Sequence, residues 1–168
     1  MPKVKVNDIQ MYYEVKGEGY PLVMIIGFGA NLGFWNPHMI EELSKNFKVV
    51  TFDNRGTGRT DVSVKEFSIR LFADDTVGLM NALGISKANI LGFSMGGAIA
   101  QELALSYPEK VKKLILYSTT CGGAKSVRNQ EADAMIKRLL AGGISVEEAL
   151  RFNFTSDFID SNLSLWSS

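Results

Sequence analysis

At 168 residues, 46% of them hydrophobic, the chain is long enough to enclose a core and too apolar for a disordered segment. Lys+Arg and Asp+Glu balance at 18 each, and without a long basic run nothing points to a nucleic-acid surface. The start, MPKVKVND, lacks an apolar signal core, and no stretch approaches the roughly 18 apolar residues of a membrane span; with a lone Cys121 unable to close an intrachain disulfide, the reading is a cytoplasmic protein without a membrane partner.

Val4 to Val6 and Ile9 to Val15 read as two strands turned at Asn7-Asp8. Pro21 to Ile26 is a continuous apolar run that suits a buried parallel strand, and a glycine-rich loop, Gly27 to Gly33, follows. A helix starts at Asn36, with Pro37 in the favoured first position and Trp35, Met39, Ile40 and Leu43 near helical spacing. Phe47 to Phe52 is the next strand. A helix from about Ser68 to Leu83 stops at Gly84. Ala88 to Phe93 is a strand, Met95 to Ser106 a helix broken by Tyr107-Pro108, and Val111 to Ser118 a further strand. Strands alternating with helices imply a parallel sheet covered on both faces.

After about Ala124 the pattern turns helical. Ala132, Met135, Ile136, Leu139 and Leu140 mark one face of an amphipathic helix, stopped by Gly142-Gly143. Ser145-Val146-Glu147-Glu148 is a capping-box sequence that opens another, with Leu150, Phe152 and Phe154 following. The remainder, Ser156 to Ser168, carries Phe158, Ile159, Leu163, Leu165 and Trp166. The expected division is a core over residues 1–124 and a helical segment over 125–168.

The most informative motif is Gly92-Phe93-Ser94-Met95-Gly96, between a short apolar strand and an alanine-rich helix. A strand-to-helix turn that presents a serine needs glycines two before and two after it, because a Cβ there would strike the neighbouring backbone. Two motifs precede it: Gly27-Phe28-Gly29 after the third strand, and Asp53-x-Arg55-Gly56-x-Gly58-x-Thr60 after the fourth.

In order and spacing these three motifs resemble the α/β-hydrolase superfamily, in particular its small esterases, enol-lactonases and haloperoxidase-like hydrolases. The similarity runs from about Val4 to Ser118, and the helical tail looks like the start of the lid those enzymes carry. The resemblance implies an α/β-hydrolase fold, a mostly parallel sheet with helices on both faces. It implies Ser94 as nucleophile, backbone N–H groups of Phe28 and Met95 as oxyanion hole, and Gly27, Gly29, Gly92 and Gly96 as the glycines of loop and elbow. It implies no metal and no organic cofactor. Two positions depart from the pattern: Ile26 stands where relatives often carry histidine, and Phe93 where a histidine often precedes the nucleophile.

The larger departure concerns the base. In the family's chain order the nucleophile comes first, then the acid, then the histidine. Here the strand that ends in Ser118-Thr119-Thr120 offers no acid, and the single histidine, His38, precedes Ser94 at the start of a helix, where an imidazolium is disfavoured. The expectation is therefore the N-terminal part of a longer hydrolase, acting on a small ester or lactone, whose base and acid come from outside this chain. A second polypeptide carrying the C-terminal half is the expected partner, and a homo-oligomer is compatible with the exposed apolar tail. The competing reading is a non-catalytic hydrolase-like binding protein or an inactive fragment. Asp53 and Arg55 read as structural groups of their loop, Asp74 and Asp75 as solvated or first-turn helix residues, and Cys121 as no nucleophile. A dinucleotide-binding fold fails at Leu32, where its third glycine belongs, and no Gly-Lys-Ser/Thr exists for a phosphate loop.

Overall fold

A computed structural model of the chain describes residues 2–123 and 130–143, with positions 145, 148, 151, 155, 157 and 161 beyond them. The chain divides into two compact units, Met1–Ala124 and Lys125–Ser168.

The first unit contains strands β1 (Lys3–Val6), β2 (Ile9–Lys16), β3 (Tyr20–Ile25), β4 (Phe47–Phe52), β5 (Ala88–Phe93) and β6 (Val111–Tyr117), and helices α1 (Pro37–Ser44), α2 (Ile69–Ala82) and α3 (Met95–Ser106). The strands form a six-stranded sheet in the order β1-β2-β4-β3-β5-β6. β4, β3, β5 and β6 run parallel, and β2 pairs antiparallel with both β1 and β4. Because β3 has β4 on one side and β5 on the other, the chain reverses its direction of travel across the sheet there. In such a sheet the crevice opens at the carboxyl ends of the strands.

Period-two alternation sends side chains into two cores. Val23, Ile25, Val50, Phe52 and Ile90 meet Leu79 and Met80 of α2 and Ile99 and Leu103 of α3. Leu22, Met24, Val49 and Leu91 meet Trp35 and the partly buried Met39, Ile40 and Leu43 of α1. The caps follow the sequence. Asn36 Oδ1 accepts the His38 N–H and Ser68 Oγ accepts the Leu71 N–H, while Gly84 at φ 67° ends α2. The glycine loop is shorter than the sequence suggests, since Asn31 caps a 3-10 turn over Leu32–Phe34.

β6 departs from the expected cover on both faces. Leu114, Ile115, Leu116 and Tyr117 are between 38% and 53% exposed, because β6 pairs only with β5 among the described residues and forms the edge of the sheet. The opposite edge, β1, carries Lys3 and Lys5, the charged residues that ordinarily protect a free edge. Apolar residues on both faces are instead the pattern of an interior strand.

In the second unit, α4 (Gln130–Leu140) ends at Gly142, with φ 69°. Ser145 and Glu148 form the reciprocal capping box: the Ser145 N–H donates to Glu148 Oε2 at 2.9 Å and the Glu148 N–H donates to Ser145 Oγ at 3.1 Å. The Ser145 N–H, with Arg138, holds the Glu148 carboxyl below the usual range. The side chains of Ala132, Leu139 and Leu140 lie outside the described residues, as do Leu150, Phe152, Phe154, Phe158, Ile159, Leu163, Leu165 and Trp166. Among the described residues no helix is long and apolar enough to cross a membrane.

Candidate active site

β5 ends at Phe93 and α3 begins at Met95, leaving Ser94 to make the whole turn at φ 54°, ψ −119°. A non-glycine residue held at positive φ costs on the order of 1–3 kcal/mol and persists only where its surroundings impose it. They do so here. A Cβ on Gly92 would overlap the carbonyl of Gly96, and one on Gly96 would overlap the carbonyl of Ile25 in β3. Only glycine at both places lets α3 start this close to the sheet. Ser94 occupies the cap position of α3, yet its side chain makes no cap hydrogen bond. Its hydroxyl is exposed and unused by the helix, which a serine selected for capping would not be.

The loop after β3 lies against this turn. A Cβ on Gly27 would stand 3.1 Å from Ser94 Cβ and 3.4 Å from the Phe93 ring. Gly29, at φ 69°, turns the loop, and the Phe28 side chain is 65% exposed. Among the described residues neither the Phe28 nor the Met95 N–H has a hydrogen-bond partner. Aromatic rings flank the turn: Phe34 stacks on Phe93 with centroids 5.5 Å apart, and Tyr117 tilts against Phe93 at 5.2 Å. The geometry thus brings Ser94, Gly27, Gly92, Gly96 and Met95 together, with Phe28 on the adjoining loop.

The family model for the alpha/beta hydrolase fold matches residues 20–167. The chain belongs to that family. A relative from Azorhizobium caulinodans, named "Putative carbamate hydrolase RutD", is 37% identical over 116 residues, 69% of this chain and 43% of that protein. Among solved structures, Est816, described as an N-acyl homoserine lactone degrading enzyme, is 32% identical with a TM-score of 0.72, over 84% of this chain and 54% of its own. The enol-lactonase from Burkholderia xenovorans LB400 is 25% identical with a TM-score of 0.76, over 98% of this chain and 64% of its own. The chain therefore spans a little under half the length of the curated relative.

Within this α/β-hydrolase core, the segment after β4 braces the site. Asp53 is fully buried; its Oδ1 accepts the Leu32 N–H and its Oδ2 the Arg59 N–H, both at 2.8 Å. Asn54 Nδ2 donates to the Ile26 carbonyl at 3.1 Å. The loop that carries Phe28 is thus held at both ends, by a role of Asn54 that its sequence gives no sign of. Arg55 is also buried and faces away from this use. Its guanidinium meets Asp75 through Nε at 2.5 Å and Nη2 at 2.8 Å, donates to Ser63 Oγ at 2.6 Å and reaches Asp8 at 3.1 Å.

This corrects the reading of Asp75 as a solvated helix residue: it is 1% exposed. It lies three residues after Phe72 and four before Leu79 and so shares their buried face of α2. Its burial is compensated by Arg55 and by the Asn7 side chain, which donates to it at 2.8 Å. Asp74 stays near the surface and binds Arg70 and the Tyr107 hydroxyl. His38 is exposed in the first turn of α1, and no hydrogen bond joins it to Ser94 among the described residues; Cys121 is exposed. A cleft of about 290 Å³ lined by Pro2, Glu14, Val15, Lys16, Ile40, Val49 and Thr51 includes none of the predicted site residues.

Arg55 beside Asp8 holds that carboxyl far below the usual carboxylate range. A depressed folded-state pKa contributes stability above the unfolded pKa and loses it as pH falls toward the folded one. The Asp8→Asn variant is accordingly less stable than wild type by a constant margin from pH 7 to about 5, and the margin shrinks progressively as pH falls below about 4. Urea midpoints from pH 7 down to about 2 measure it; a margin that does not shrink below about pH 4 would contradict the pairing.

Proposed function

We propose that this chain supplies the nucleophile and oxyanion hole of a serine hydrolase acting on carboxylic esters or lactones through an acyl-enzyme. Ser94 Oγ attacks the acyl carbon, and the N–H groups of Phe28 and Met95 receive the charge that develops on its oxygen. One such donor is worth roughly 3 kcal/mol of barrier. A histidine outside these 168 residues takes the Ser94 proton and returns it to the leaving alcohol, with an acid orienting it. Water then attacks the acyl-enzyme through the same histidine. The segment over 125–168 is assigned as the start of a lid.

The observation that carries this reading is an exposed serine in a strained turn, with its hydroxyl unused by the helix it precedes and a glycine loop against its Cβ. The likenesses to Est816 and the enol-lactonase support an ester or lactone carbonyl. The RutD relative brings in carbamates, whose carbonyl is the same kind of electrophile. The outside histidine is motivated by the position of His38, and the apolar free edge of β6 offers added polypeptide a strand to pair with.

Loss of p-nitrophenyl butyrate, an acyl homoserine lactone and a phenyl carbamate, followed by chromatography side by side with the purified protein, tests the substrate class. Ester or lactone cleavage outpacing carbamate cleavage supports it. A preference for the carbamate would reassign it, and no turnover in an assembly that holds a histidine beside Ser94 would leave a non-catalytic binding protein.

A further inference from the structure

Resting on the assignment of Ser94 and Met95 above, we propose that Thr119 is a positioning residue for the oxyanion hole. The peptide that joins Ser94 to Met95 is planar and trans, so its C=O and N–H lie in one plane and point in opposite directions. Whatever fixes the Ser94 carbonyl fixes the direction of the Met95 N–H, the proposed donor. The Ser94 carbonyl accepts two hydrogen bonds, from the Gly97 N–H at 2.9 Å and from the Thr119 hydroxyl at 2.7 Å. The first is the ordinary opening turn of a helix. The second comes from outside the helix, across from the end of β6.

The chain places Thr119 there deliberately in the geometric sense. Ser118 takes φ 47° just past β6, which turns the following residue toward α3. A Cβ on Gly97 would overlap the Thr119 side chain, so Gly97, which the serine turn itself does not require, makes the room that Thr119 occupies. Gln101 Nε2 donates to the Gly97 carbonyl at 3.1 Å and to the Thr120 carbonyl at 2.9 Å, tying the same two segments one turn further on. On the other side, the Ser94 N–H donates to the Tyr117 carbonyl at 3.0 Å. The strained residue is therefore held at its N–H and at its C=O by consecutive parts of one segment, 117–119. Relaxation of Ser94 toward an ordinary backbone conformation would rotate the 94–95 peptide and turn the Met95 N–H away. The Thr119 hydroxyl opposes that rotation.

Thr119→Val keeps the shape and removes the donor; Thr119→Ser keeps the donor and removes the methyl. The full chain, in the assembly in which it is purified, is treated with a fluorophosphonate probe, and the labelling of Ser94 is resolved into a binding constant and a bond-forming rate constant. Thr119→Val lowers the bond-forming rate constant about tenfold with the binding constant unchanged, a fraction of the loss that follows removal of a whole donor, while Thr119→Ser stays within about twofold of wild type. Equal rates for Thr119→Val and wild type would overturn the proposal, as would a Thr119→Ser as slow as Thr119→Val, which would assign the effect to packing of the methyl. If Thr119→Val does not fold, Thr119→Ala supplies the hydroxyl-free variant.

Amide hydrogen exchange separates this proposal from the one it rests on. Faster exchange at the Ser94 and Gly97 amides in Thr119→Val, in a protein whose Ser94 takes no label even as wild type, would sustain the clamp and remove the nucleophile. Unchanged exchange at both amides would remove the clamp whether or not Ser94 is labelled.

Discussion

Replacing Ser94 by alanine lowers ester turnover by about 10⁴- to 10⁶-fold, the range seen when a nucleophile that works with a partner base is lost, and leaves thermal stability within experimental error. The second half of that expectation follows from the geometry. Alanine keeps the Cβ, and with it the cost of φ 54°, and the serine hydroxyl it removes makes no cap hydrogen bond. Ser94→Gly separates the two effects. Glycine adopts positive φ without that cost, so this variant is as inactive as Ser94→Ala and more stable than wild type by roughly 1 kcal/mol. A stabilised, inactive Ser94→Gly is the behaviour of a strained residue retained for chemistry. An active Ser94→Ala, with kcat within tenfold of wild type, would show that the serine is a structural residue of the turn.

The second large effect falls on the fold. A Cβ on Gly96 would run into the backbone of β3: it meets the Ile25 carbonyl oxygen, lies 2.7 Å from the Ile25 carbonyl carbon and 2.8 Å from the Ile26 oxygen. These are backbone atoms at the end of β3 and of the residue just after it, and no rotamer change moves them aside. Gly96→Ala must push α3 off β3 and drag the Gly27–Phe28 loop with it. The expected cost is about 4 kcal/mol or more, within the exceptional class of single substitutions. Gly29→Ala makes the comparison, since no atom lies within 4 Å of its Cβ position and only the positive φ is paid, on the order of 1–2 kcal/mol. Chemical denaturation of both variants reads the difference. A Gly96→Ala no less stable than Gly29→Ala would mean that α3 does not approach β3 as described.

The parts of this molecule that local rules control are those visible in its sequence. β4, β5 and α3 occupy the residues expected of them: β4 is a short apolar run between polar residues, Gly92 and Gly96 bracket the turn from β5 to α3, and Pro108 follows the end of α3. Asn36 and Ser68 cap α1 and α2 as their types predict. The Ser145–Glu148 box closes because both of its members lie within four positions of each other. The tight turn at Ser94 was legible for the same reason, being defined by glycines two positions away on either side. What could not be read depends on distance along the chain. Asp75 looks like one of two acidic residues on a helix surface until Arg55, from another loop, is placed against it. Asn54 and Thr119 look like ordinary polar residues after strands; each acts through one hydrogen bond to a backbone carbonyl on a different element. The exposure of β6 was hidden because its apolar sequence belongs to an interior strand, while its place at the edge is a property of the sheet order.

The proposal that Ser94 is a nucleophile completed from outside this chain is tested most directly by native mass spectrometry after exposure to a fluorophosphonate probe. The expected result is a single label, mapped to Ser94 and absent from Ser94→Ala, in an assembly that contains a histidine-bearing polypeptide besides these 168 residues. A folded protein that holds such a histidine beside Ser94 and takes up no label, or takes it at another residue, would contradict it.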